Sequence, residues 1–210
     1  PNPNPNPPLD LPHPHRILSA LRHRPNSNFD IVMLRLRVSC RGLSVAKVMA
    51  TRTTAEALRG ILGIDHADMG LWLASTLQMA ELNAELRGKD GPTDVLAVPA
   101  LDAVAQLRRP DQGAGTPAGG DVTAVVASNE VPPGADLGDV VVCLPVVAAD
   151  ADGDGLSLMD DALPRVVVHG MLHLLGHDHE DDDEYRVMVA AEAAALRALD
   201  PARWAGRDVV

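Results

Sequence analysis

One segment restricts this chain more than any other: ALPRVVVHGMLHLLGHDH, residues 162–179. Its apolar residues recur at helical spacing as far as Leu175, and Gly176 then offers the left-handed conformation that ends a helix. Asp161 is the expected N-cap, and Pro164 falls in the first turn, where its missing N–H is no loss. Any fold must therefore hold an apolar helix that carries polar side chains near its C-terminal end. His169 and His173 stand four residues apart, on one face and one turn from each other. Two imidazole nitrogens so placed can reach one zinc ion at about 2.0–2.1 Å. After the glycine the chain can turn back and bring His179 as a third ligand; His177, two residues earlier, can take that place instead. Three neutral imidazoles leave one tetrahedral position for water, as in catalytic rather than structural zinc sites, where the water's pKa falls to about 7. Four of the eight histidines lie in these eleven residues, 169–179, which chance polar exceptions on a helix would not produce.

The spacing H-x-x-x-H-x-x-G-x-x-H equals that of the metzincin proteases. Those enzymes place their general base, a Glu, directly after the first His; here the residue is Gly170. A peptidase mechanism with a helix carboxylate at that point is excluded. Proton transfer falls to Asp178, to a substrate phosphate, or to the activated water alone.

The remaining segments read as alternating elements. FDIVMLRLRVS (29–39) alternates apolar and polar residues, as a half-buried strand does. RTTAEALRGIL (52–62) is an expected helix, MGLWLAS (69–75) a buried strand, and LQMAELNAELRG (77–88) a second helix closed by Gly88. PTDVLAVP (92–99) is a short strand, and DVVVCLPVV (139–147) is the most strand-like run of all. Between them, residues 100–136 are rich in Gly, Pro and Ala and read as an insertion. EDDDEYRVMVAAEAAALRAL (180–199) is a last helix, its acids at the positive end of the helix dipole. DADGDGLSLMDD (150–161) imitates a calcium-binding EF-hand loop, but the run before it is strand-like and contains Pro145. A solvated acidic turn is the expectation there. With aromatics at 2%, the core must rest on aliphatic side chains, and Cys143 reads as a buried small hydrophobe.

Charge is unevenly distributed. Residues 1–53 hold eight of the 18 basic residues and only two of the 29 acidic ones, so the rest of the chain is strongly acidic. Such a body repels polyanions at long range, which counts against unspecific nucleic-acid binding. The basic, Pro/Asn-rich residues 1–30 read as a disordered leader or an organelle-targeting segment. A mitochondrial or chloroplast location follows if they target, a cytoplasmic one if they do not.

The histidine segment, the block LNAELRGKDGPTDVLAVP (82–99) and the strand LGDVVVC (137–143) occur in the order found in the YbeY family of ribosomal-RNA-processing endoribonucleases. The chain resembles that family from about Ile31 to Leu199. The resemblance implies His169, His173 and His179 as ligands of one Zn2+ per chain, and Arg87 and His169 as catalytic residues. Arg87 corresponds to an arginine the family needs, and a guanidinium fork suits phosphate. Asn83, Lys89, Thr93 and Asp94 also match; Thr93 and Asp94 are expected to fix the loop and the strand start. Two positions depart: His177 stands where the family usually has an aromatic residue, and Ala97-Val98 replaces Ser-Phe, either a core change or a lost base-stacking surface.

The expected fold is α+β: a mixed, mostly parallel four-stranded sheet packed with about five helices, with a zincin-like metal helix. A metallohydrolase domain is expected over 31–203, with 204–210 as a tail. The implied function is a zinc-dependent, single-strand-specific endoribonuclease in rRNA processing and ribosome maturation. Its implied partners are an rRNA precursor and ribosomal proteins or assembly factors, without membrane or DNA. The alternatives are a ribosome-assembly factor with a structural metal, and a zinc hydrolase of another substrate class.

Overall fold

The computed structural model describes residues 34–100 and 131–207. Strand β1 (Leu34–Val38) is followed by α1 (Val45–Ile61), β2 (Asp68–Leu73), α2 (Thr76–Arg87) and β3 (Val95–Pro99). Then come β4 (Asp136–Val142), α3 (Leu144–Gly153), a π-helical turn (Leu158–Ala162), α4 (Leu163–Leu174), α5 (Asp182–Leu199) and α6 (Pro201–Trp204). The four strands form one sheet in the order β1-β2-β4-β3. β1, β2 and β4 run parallel, and β3 pairs antiparallel with β4 at the edge. The expected α+β class and the mixed, mostly parallel four-stranded sheet are present, with six described helices rather than five.

Strand alternation divides the sheet into two faces. Leu34, Met69, Leu71, Val140, Val142 and Val95 look to one side, where α1, α4 and α5 cover them in the larger core. Trp72, Val141 and Leu96 look to the other, where α2 lays Met79 and Leu82 against them and buried Cys143 joins the cluster. β4 sits between β2 and β3 and is buried on both faces, which explains its unbroken apolar run.

Several boundaries differ from the sequence expectation. α1 starts at Val45, well before the expected Arg52, because the Ser44 hydroxyl accepts the Lys47 N–H and caps it. β4 begins at Asp136, inside the expected insertion, and ends at Val142. The residues after it, expected to extend the strand to Val147, instead form α3, with Pro145 in its first turn. An apolar run fits a buried strand or a buried helix, and Pro145 is compatible only with the first turn of a helix. Residues 101–130, most of the expected insertion, and the expected leader 1–30 lie outside the described residues. The tail expected from residue 204 is not separate: Trp204 is fully buried in the larger core.

The acidic segment 150–161 is split among three structures. Asp150 and Asp152 are exposed in the last turn of α3, and Asp154 is exposed just beyond it. Asp161 is buried in the π-turn and binds Arg203 Nε at 2.7 Å, Arg203 Nη2 at 2.8 Å and Arg207 Nη1 at 2.9 Å. These guanidinium hydrogen bonds hold its pKa far below the usual carboxylate range. No metal-competent carboxylate cluster forms here among the described residues. Asp161 is also not the N-cap of α4, which continues directly from the π-turn with Ala162 at its start; Ser157 caps that turn, its hydroxyl accepting the Asp160 N–H while Asp161 Oδ2 accepts the Ser157 N–H.

Candidate metal centre

α4 is held in place by burial rather than by helix propensity. Its three successive valines, 166–168, each cost a helix up to about 0.7 kcal/mol relative to alanine. Val167 and Val168 are fully buried, and each burial contributes about 1.5–3 kcal/mol, so packing wins. The helix lies against β3 and β4, and the close approach depends on Gly170. A Cβ there would sit 2.7 Å from Val140 Cγ1 and 3.2 Å from Val95 Cγ2. The position where metzincins carry their base is therefore pressed against the sheet.

The C-terminus of α4 is closed by a Schellman motif. The His177 N–H donates to Leu172 O and the Gly176 N–H to His173 O, both at 3.0 Å, with Gly176 at φ +85°. This turn reverses the chain and returns His179 to the helix. The three imidazoles of His169, His173 and His179 then face one another, with centroids 4.6, 5.5 and 5.1 Å apart. One ligand atom from each lies within 4.8 Å of the others. His169 and His173 are half-buried and His179 is exposed, so the cluster opens to solvent on the His179 side.

Hydrogen bonds define which nitrogens are free. His169 Nδ1 lies 2.6 Å from Glu192 Oε1, and His173 Nδ1 lies 3.0 Å from the backbone oxygen of His177. A carbonyl oxygen only accepts, as does an ionised carboxylate, so both Nδ1 atoms carry hydrogen in the neutral rings. Both Nε2 atoms then present lone pairs, yet they stand 3.1 Å apart. Two acceptors at that distance repel unless a cation or a proton lies between them. Burial, with the neighbouring His169 second, lowers the His173 pKa, which disfavours the proton. Two tetrahedral ligands at about 2.0–2.1 Å from a common ion stand about 3.3 Å apart, close to what is seen. The residues present fit a divalent metal ion.

His177, the alternative third ligand, is not in the cluster. Its ring is buried, its Nε2 has no hydrogen-bond partner, and desolvation lowers its pKa. Its backbone carbonyl, not its ring, serves the site, by orienting His173.

The second block lies elsewhere. Arg87 is the last residue of α2, exposed, on the opposite side of the sheet from α4. The structure brings the three histidines together, while Arg87 ends the helix that packs on the other face of the sheet. Gly88 at φ +64° ends the helix, and Asn83 Nδ2 donates to Gly91 O at 2.9 Å, tying α2 to the following loop. Asp94 Oδ1 accepts from Thr93 Oγ1 and from the Val95 N–H, so these two residues shape the loop and start β3. Lys89 is exposed beside them. Val98 is half-buried and packs against the Trp72 cluster.

Comparison with known proteins follows the same three blocks. The family profile described as Endoribonuclease YbeY matches residues 44–200. The chain belongs to the YbeY endoribonuclease family. An endoribonuclease YbeY of Rhodopseudomonas palustris is 34% identical over 164 residues, 77% of this chain and 72% of the relative. The YbeY of Stenotrophomonas maltophilia strain R551-3 is 36% identical over 154 residues, 73% of this chain and 80% of the relative. A solution structure of TM1509 from Thermotoga maritima is 25% identical, covers 80% of this chain and 89% of its own, and has a TM-score of 0.48. The YbeY profile spans the metal helix, the Arg87 block and β4, and begins at the Ser44 cap of α1.

Sequence reasoning passed over Glu192. It lies on the buried stripe of α5 with Met188, Ala191, Ala195 and Leu196, and its side chain is only 13% exposed. The signal was available: a lone acid on an apolar helix face needs a partner. Which partner, 23 residues away, depends on how α5 packs on α4.

Proposed function

We propose that this protein is a zinc-dependent, single-strand-specific endoribonuclease that acts on precursor ribosomal RNA during ribosome maturation. Membership of the YbeY family makes it a metal-dependent hydrolase of RNA phosphodiesters. The observation that carries the zinc reading is the facing pair of Nε2 lone pairs, with both Nδ1 atoms already committed. His169, His173 and His179 would hold the ion, and an all-nitrogen donor set suits zinc. Bound there, the ion would supply Lewis acidity toward a phosphoryl oxygen and an attacking water.

The remaining chemistry belongs to the chain. Arg87, exposed at the end of α2, offers a planar fork for two phosphate oxygens, with Lys89 adding charge nearby. Gly170 supplies no base, and Glu192 is engaged with His169. Proton transfer therefore falls to Asp178, half-buried beside the cluster, or to the substrate's own phosphate. The strongly acidic body, net charge −11, favours a substrate gripped locally over one drawn in by a general field. We place ribosomal proteins or assembly factors among the partners that deliver the RNA, and an organelle as the site of action if residues 1–30 serve as a targeting segment.

Peptidase chemistry is disfavoured by the packing of Gly170 on Val140 and Val95. The deciding experiment incubates zinc-loaded protein with a single-stranded RNA and a duplex of the same sequence, with and without chelator. Cleavage of the single strand alone, abolished by chelator and by His173→Ala, is expected. Equal cutting by the His173→Ala protein would sink the reading.

A further inference from the structure

We infer that Glu192 is a positioning residue for the metal centre: its carboxylate holds His169 as the Nδ1–H tautomer and aims Nε2 at the ion. The inference rests on the zinc reading above. His169 and His173 occupy equivalent helical positions but are oriented by different means. His173 donates from Nδ1 to a carbonyl in the turn that ends its own helix. His169 has no such carbonyl and donates to a carboxylate on α5 instead, at 2.6 Å, a charge-assisted hydrogen bond. Without that acceptor an isolated imidazole exchanges its proton between the two nitrogens, and the Nε2–H form cannot bind metal through Nε2.

A second consequence is electrostatic. A dication on three neutral imidazoles leaves a charge of two in a half-buried site. Among the described residues, Glu192 is the carboxylate that bonds a ring nitrogen of the cluster, and it offsets one of those charges. Its place on the buried face of α5 means that docking of that helix also sets the ligand geometry.

The test uses the full chain and zinc as the probe. Zinc affinity would be measured by chelator competition for the wild type, Glu192→Gln and Glu192→Ala. The His169 tautomer in metal-free protein would be read from long-range 1H–15N correlation spectra. The wild type is expected to show Nδ1–H at His169. Glu192→Gln keeps the shape and an acceptor but loses the charge, and should bind zinc about 10–100-fold more weakly. Glu192→Ala should also shift His169 toward Nε2–H. If Glu192→Ala melts early, the isosteric Glu192→Gln carries the test. Wild-type zinc affinity and an unchanged tautomer in both variants would overturn the inference while leaving the zinc reading intact. A wild type that takes up no zinc would overturn both.

Discussion

The two faces of the sheet are built from different chemistry. On the α4 side, helix and sheet approach so closely that a single methyl group at Gly170 meets Val140 Cγ1 at 2.7 Å. On the α2 side, one helix covers the Trp72 cluster, and the neighbouring strand positions carry Arg35, Arg37 and Asp139. Arg37 lies over the Trp72 ring at 4.3 Å, and Arg35 bonds Asp136 at 3.1 Å. Asp139 is buried between them, opposite Gly70, which has no side chain to compete for the space. The apolar face fixes the helix that carries His169 and His173; the charged one holds a buried carboxylate and presents Arg87 at an exposed helix end.

That contrast can be broken most sharply at His173. His173→Ala should lower zinc content from one ion per chain to none and bring RNA cleavage to background, with the metal-free fold intact by circular dichroism. Retained zinc would mean that the apolar face does not build the site.

Asp139 tests the charged face. Burial raises its pKa to about 6 against an ordinary 3.8, with Asp136 adding to the rise and Arg35 and Arg37 opposing it. The folded protein therefore holds a proton that the unfolded chain has released between about pH 4 and pH 6. Stability falls as pH climbs through that window and stays lower above it. A shift of about two units corresponds to about 3 kcal/mol at neutral pH, taking 1.36 kcal/mol per unit. Asp139→Asn should raise the melting temperature at pH 7.5 and leave it unchanged near pH 3.5. Equal melting of the two proteins at both pH values would show that the carboxylate is not penalised.

Arg87 should behave as a binding group without structural duty. Arg87→Ala is expected to weaken RNA binding by about 10- to 100-fold, the loss of a hydrogen bond to a charged group worth about 1.5–3 kcal/mol, without changing the melting temperature. An accompanying loss of stability would instead assign it to the α2 terminus. The smallest effect is at Gly170. Gly170→Ala gains about 1 kcal/mol in helix propensity but overpacks the core, which typically costs about 1–3 kcal/mol. A net loss of up to about 2 kcal/mol is expected in urea unfolding, and a gain would show that the contact of α4 with the sheet has slack.

Much of this was legible before the structure. The periodicity of residues 162–175 and the glycine at 176 marked the metal helix and its end, and Gly88 marked the end of α2. These are local signals, set by the conformational preferences of a few adjacent residues. The misreadings share one cause. The run after Val142 is apolar in a way that suits strand and helix equally, so α3 went unseen. Asp161 reads locally as a cap, but Arg203 and Arg207, 42 and 46 residues later, draw its carboxylate inward, and Ser157 caps the π-turn that leads into α4. Trp204 looked like a tail residue because nothing local shows what buries it.

From sequence alone, helical pitch decides that His169 and His173 share a face, and the glycine decides that the chain turns back after them. Tertiary packing alone decides that His179 rather than His177 completes the cluster, that Glu192 orients His169, and that Arg87 stands across the sheet. The first set depends on bonds between near neighbours, which any chain with these residues would form. The second depends on where whole helices come to rest, and buried area summed over many distant side chains determines that.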